Sequence, residues 1–150
     1  MAGIVEDAAQ SAGWIATALN SSGYSADFSA NSLAEVDRFF DEHAKNGVPR
    51  KGGLLATDRG PRLFAAGAYV GEVLRRALGG EWQPDSSDPD SEIGLSLVLS
   101  NGTTVWPVQR VMKRYANGRE DSIAAYGAGL GLDVPVFSDP PKRGFWRRAR

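Results

Sequence analysis

The chain has 150 residues, 42% of them hydrophobic and 23% charged, enough for one domain that buries about two-thirds of its unfolded surface. It contains no cysteine, which excludes disulfides, thiolate metal sites and cysteine nucleophiles. The net charge of −1 is unevenly spread: residues 142–150 hold five cations and no acid, leaving 12 of the 17 basic residues against all 18 acids on residues 1–141. We assign residues 1–139 to a single domain and 140–150 to a basic aromatic tail. The acidic domain argues against a nucleic-acid-binding surface on the body.

Glu6 and Asp7 near the start, with no early Lys or Arg, do not suit a signal peptide. No apolar run approaches the roughly 20 residues that span a bilayer. The expected setting is the cytoplasm, with no transmembrane segment.

Ile4, Val5, Ala8, Ala12, Ile15 and Leu19 recur on one stripe of a first helix over 4–19, with Trp14 at its edge. Asn20, Ser21, Ser22 and Gly23 end it in turn chemistry. Ser32 and Glu35 fit a capping box, and Leu33, Val36, Phe39, Phe40 and Ala44 continue a second helix that Asn46-Gly47 and Pro49 close. His43, the single histidine, lies near that stripe. One histidine cannot supply a multi-histidine metal site, and no Gly-x-Ser-x-Gly elbow accompanies it. It reads as a core-edge residue at a helix C-terminus. Arg50, Lys51, Gly52 and Gly53 then form a basic, glycine-rich connector. A phosphate cradle has this composition, but Gly-Lys-Ser/Thr is missing and no strand is expected before it, so we read an ordinary loop.

The pattern over 61–78 predicts the central buried helix. Pro61 suits its first turn, Asp58 stands as the candidate cap, and Gly79-Gly80 ends it. Leu63, Phe64, Gly67, Val70, Val73, Leu74, Ala77 and Leu78 recur at helical spacing. Gly67 and Gly71 each cost roughly 1 kcal/mol against alanine in a helix interior, so a backbone or a large side chain is expected close against them. Glu81, Trp82, Gln83 and Pro84 make a short strand candidate. The acids of 85–92 do not match a calcium loop, because Ile93 would replace the turn glycine and Leu99 the bidentate Glu. A solvated loop is expected there.

Ile93, Leu95, Leu97 and Leu99 alternate with small or polar residues, the pattern of a strand with one apolar face. Asn101-Gly102 is a strong hairpin signal. A two-residue type I′ turn sets Ser100 opposite Thr103, Leu99 opposite Thr104 and Leu97 opposite Trp106. Pro107 opens a further helix with Val108, Val111, Met112 and Tyr115 on its stripe and Arg110, Lys113 and Arg114 off it. Asn117-Gly118 ends that helix, and Asp121 or Ser122 caps a last one through Ile123, Ala124 and Tyr126. The expected fold is α+β: a helical N-terminal half around the 61–78 helix and a small antiparallel sheet containing the Asn101-Gly102 hairpin.

Several ordered pieces together resemble a group of small, uncharacterised bacterial domains of unknown function. They are Phe28 with Leu33 and Val36; Gly67, Ala68, Tyr69, Gly71 and Glu72; Leu78, Gly79, Gly80 and Trp82; and Pro107 with Val111, Lys113, Arg114, Asn117, Gly118, Asp121 and Ser122. The resemblance covers about 24–127. It implies an α+β fold with helices first and the sheet later, and it implies no activity and no catalytic residues.

Glu72 is the acid of most interest. On the surface it would form a helix pair with Arg76, worth about 0.2–0.5 kcal/mol. Turned inward it needs a partner such as Tyr69, Trp82 Nε1 or an arginine. Glu72, Tyr69, Trp82 and Arg76 are therefore the candidate binding residues; no catalytic residue, metal ligand or cofactor is assigned. The expected function is a non-catalytic module that binds a protein partner, an inhibitor or immunity-type protein being one form. The alternatives are a small hydrolase-like enzyme using Glu72 as general acid/base, and a membrane or nucleic-acid adaptor acting through the tail, where Phe145 and Trp146 sit among the arginines.

Overall fold

The computed structural model describes residues 3–135. Five helices and two small antiparallel sheets alternate in the order α1 (Ile4–Ser21), α2 (Ser32–His43), β1 (Ala44–Lys45), β2 (Val48–Pro49), α3 (Arg59–Leu78), β3 (Gly80–Gln83), β4 (Ser96–Leu99), β5 (Thr104–Val105), α4 (Pro107–Asn117) and α5 (Ile123–Gly129). The fold is α+β, helical in its N-terminal half. One hydrophobic cluster runs from Ile4 to Val134. The tail at 140–150 lies outside the described residues.

The expected hub is in place. Every residue of α3 from Leu63 to Leu74 is buried, with Val70 and Leu74 fully so. α1 and α4 pack along it, and the sheet order β3-β4-β5 lies beside it. The two interior glycines have separate reasons. A Cβ on Gly67 would sit 2.5 Å from the Val108 Cα of α4, and one on Gly71 would collide with the Trp82 indole ring. Close approach of a backbone and of a large ring offsets their helical cost. Gly79, at φ 73°, reverses the chain so that β3 brings Trp82 back over α3. Trp82 pairs with Leu97 and Leu97 with Val105, which puts these three side chains on the face turned to the core.

Several local expectations are corrected. The β4–β5 register is one residue off the two-residue turn: Leu97 pairs with Val105, Val98 with Thr104, and Leu99 N–H donates to Thr103 C=O at 2.8 Å. Ser100, Asn101 and Gly102 form a three-residue loop in which only Gly102 has positive φ, at 91°. The cause lies on the other side of β4, where Ser100 N–H donates to Gly79 C=O at 3.0 Å and is held to β3. The slip inverts the return strand: Val105 is buried and Trp106 is 43% exposed. Ile93 lies before the strand and is exposed, as is Val5 on α1.

The other Asn-Gly pair makes the turn expected of the first. Asn46 and Gly47, at φ 48° and 83°, join β1 to β2 in a tight hairpin instead of closing α2, which stops at His43. A strand therefore precedes the basic connector after all. The capping box does not form either. Ser32 is inside α2, donating to Ser29 C=O and accepting from Tyr69, while Glu35 accepts from Ser25 N–H and pairs with Arg38. Asp58 makes no side-chain cap bond; its φ of 50° turns the backbone into α3, whose first turn holds Pro61. Ser122 does cap α5, accepting from Ala125 N–H.

Candidate functional site

Glu72 sits on α3 one residue after the glycine that the Trp82 ring covers, and this adjacency builds the site. Its side chain is 9% exposed. Trp82 Nε1–H donates to Oε2 at 2.8 Å; Arg75 donates from Nε to Oε2 and from Nη2 to Oε1, each at 2.9 Å. Arg76 Nε stands 3.9 Å from Oε1. The close arginine is thus one turn away at three residues, not four. The Arg75 hydrogen bonds hold the carboxyl below the ordinary glutamate range; burial opposes them, and the Trp82 bond adds to them. The result is an ionised carboxylate whose oxygens are engaged by a bidentate arginine and an indole N–H. A group in that state is a poor proton donor at neutral pH, and among the described residues no other acid is one of the charges acting on it.

The four residues singled out in the sequence are joined only in part. Trp82 and Arg76 reach Glu72, but Tyr69, one turn before it on α3, makes its hydrogen bonds to other residues. Its hydroxyl accepts from Phe28 N–H at 3.0 Å and donates to Ser32 Oγ at 2.7 Å, and burial raises its pKa. Arg76 lies 4.0 Å over the Phe28 ring, which itself packs 4.7 Å from Tyr69. Phe28 has φ 63°, a left-handed conformation that costs a bulky residue about 1–2 kcal/mol. The Tyr69 bond to its N–H and the ring contact hold it there.

A second, partly buried acid carries no signal in the sequence reading. Asp37 on α2 accepts from Arg114 Nε (2.9 Å), Ser122 Oγ (2.8 Å), and the N–H groups of Ile123 (2.9 Å) and Ala124 (2.8 Å). It clasps the first turn of α5 to α2. Arg114, expected off the apolar stripe of α4, is 3% exposed, because its Nη2 also donates to Asp37 C=O and to Asp41. The sequence offered one half of the signal, the Ser122 cap. Nothing local joins it to an aspartate 85 residues away.

His43 is buried at the end of α2, as expected, stacked 4.5 Å on Phe39. Burial first, and then the neighbouring Arg50 charge, lower its pKa. An open groove of about 410 Å³ lies elsewhere, beside Arg110, Asp121, Tyr126 and Leu130, and takes in none of the predicted residues. Among the described residues no cluster of three or more histidines and acids is placed to hold a metal ion, and no helix is long and apolar enough to cross a membrane. The chain matches no protein-family model, no curated protein and no solved structure, so the resemblance carried by the 67–82 motif brings no assigned activity to Glu72.

Proposed function

We propose that this chain is a non-catalytic, cytoplasmic binding module that recognises a basic protein partner through an acidic face, as an inhibitor or immunity-type protein would. The observation that carries the reading is a set of acids without ion-pair partners among the described residues: Glu6 and Asp7 on the first turn of α1, and Glu81, Asp88, Asp90 and Glu92 on and after β3. Burial and then the charge of Asp7 push the Glu92 carboxyl up, so the two segments act on one another. Val5 and Ile93, 36% and 52% exposed, neighbour these acids in sequence and supply apolar contact area. Such a face steers a cationic partner and gives a strongly salt-dependent association rate. By contrast, Glu72, Asp37 and Asp41 have carboxylate oxygens committed to partners within the chain.

The test is capture from native lysate by the immobilised full chain at low and high salt, run beside the double variant Asp88→Lys, Asp90→Lys and beside Glu72→Gln. The reading expects one stoichiometric basic protein at low salt, lost at high salt and from the double variant, and kept by Glu72→Gln. Association with the isolated partner should slow by about tenfold in the double variant. No captured protein, or capture indifferent to the acid reversal, removes the proposal.

A further inference from the structure

The connector after β2 holds a different kind of site. His43 is 5% exposed, and both of its ring nitrogens face donors: Arg50 Nη2 lies 3.3 Å from Nε2, and Leu54 N–H lies 3.4 Å from Nδ1. A neutral imidazole has one lone pair and one N–H. It can accept from one of these neighbours and must turn its own N–H towards the other. A buried donor is therefore left facing a donor, an arrangement that costs free energy unless an acceptor placed beside the pair takes both N–H groups.

No protein group among the described residues supplies that acceptor. Glu42 on the same helix is the nearest acid acting on His43, but its Oε1 is taken by the Tyr24 hydroxyl and lies 3.7 Å from Arg38. Neither Arg50 nor Lys51 forms an ion pair among the described residues. The turn is closed by Gly53 N–H donating to Arg50 C=O at 3.1 Å, while the N–H groups of Lys51 and Gly52 donate to no described protein acceptor. Gly53 lets the turn pack close on the ring: a Cβ there would lie 2.8 Å from His43 Nδ1 and 3.4 Å from Arg50 Nε. No positive φ requires glycine at this position. The turn is anchored from outside by Leu55 in the core and by Arg62, which donates to Leu54 C=O.

We infer that the 50–54 turn binds a phosphate group, held by the Arg50 guanidinium, the His43 ring N–H and the free amides of Lys51 and Gly52, with Lys51 adding charge. A tetrahedral oxyanion presents acceptors in several directions at once, and arginine meets it through paired N–H donors. It satisfies the stranded histidine donor and two unpaired cations in one step. Backbone amides of a glycine-containing turn form the same kind of anion-binding concavity elsewhere. The site shares no residue with the acidic face.

The experiment follows the full chain by nitrogen NMR at pH 7 while inorganic phosphate, or glycerol phosphate as a monoester, is added against sodium chloride of equal ionic strength. Saturable shifts of the His43 ring nitrogens and of the Lys51, Gly52 and Leu54 amides are expected with at least one phosphate and not with chloride. Equal affinities point to free phosphate as the ligand; tighter glycerol phosphate points to the phosphate end of a larger molecule. Arg50→Gln, an exposed position, weakens binding roughly tenfold, the size of one charge-assisted hydrogen bond, and Gly53→Ala weakens it by displacing His43 and Arg50 from the turn. Lys113→Gln on α4 leaves it unchanged. Shifts that chloride reproduces, or that survive Arg50→Gln at full affinity, overturn the inference.

Discussion

Glu72 is buried and Asp37 partly so, both face an arginine and both receive further donors, yet they do different things. The donors to Glu72 lie three and ten residues further along the chain, on α3 itself and on the strand that follows it. The donors to Asp37 lie 77 to 87 residues away, on α4 and at the start of α5. Glu72 fixes one helix-to-strand reversal; Asp37 closes the molecule. The arginines differ too. Arg75 is 41% exposed and its charge stays hydrated if the acid is lost, whereas Arg114 is 3% exposed and has no water to fall back on. A buried ion pair therefore matters here according to what its loss strands, not according to its distance.

The largest effect separating the two is expected from Asp37→Ala. It leaves Arg114 with Asp41 and a single carbonyl, and leaves the Ile123 and Ala124 amides uncapped. The loss should be about 3–5 kcal/mol in urea unfolding. A loss below ~1 kcal/mol would make the clasp no more than a surface pair. Trp82→Phe comes next: the N–H to Glu72 is gone and so are the outer ring atoms that cover Gly71, costing about 2–3 kcal/mol by the same measurement.

The Trp82 variant also carries a pH signature. Because the folded Glu72 pKa is depressed, the unfolded chain binds the extra proton first as pH falls. Stability from this group is full above the unfolded value of about 4.3 and drains away as pH drops through the lower folded value. Trp82→Phe should flatten that acid slope. Arg75→Gln is the smallest, at ~0.2–1 kcal/mol in thermal unfolding, because its guanidinium is half in water.

The same contrast explains what could be read from the chain. The α3 hub and the need for something packed close against its glycines are legible, and Trp82 stands among the candidate partners of an inward Glu72; which groups cover the glycines, and which way Glu72 turns, are not. The Asp37 clasp was not, because its parts are spread over three helices and none marks the others. The two Asn-Gly pairs show how a neighbour overrides a local rule. At 46–47 the tight turn forms with the Gly47 N–H held by Tyr115 C=O of α4; at 101–102 the Ser100 N–H is held by Gly79, just before β3, and the loop grows by one residue. Tyr69 likewise diverts Ser32 from the capping role that its sequence position suggests. Long-range partners decide such cases, and only the folded chain presents them.

The central claim is that the acids inside this molecule hold its shape, leaving those outside to meet a partner. Carbon-detected NMR titration of the Glu72 side-chain carboxyl, read together with the Trp82 indole N–H resonance, tests it most directly. The account predicts a midpoint below the ordinary glutamate range, with the indole signal moving at that same midpoint. A Glu72 that titrates at or above that range, or an indole signal that ignores it, would contradict the claim and return Glu72 to proton-transfer chemistry.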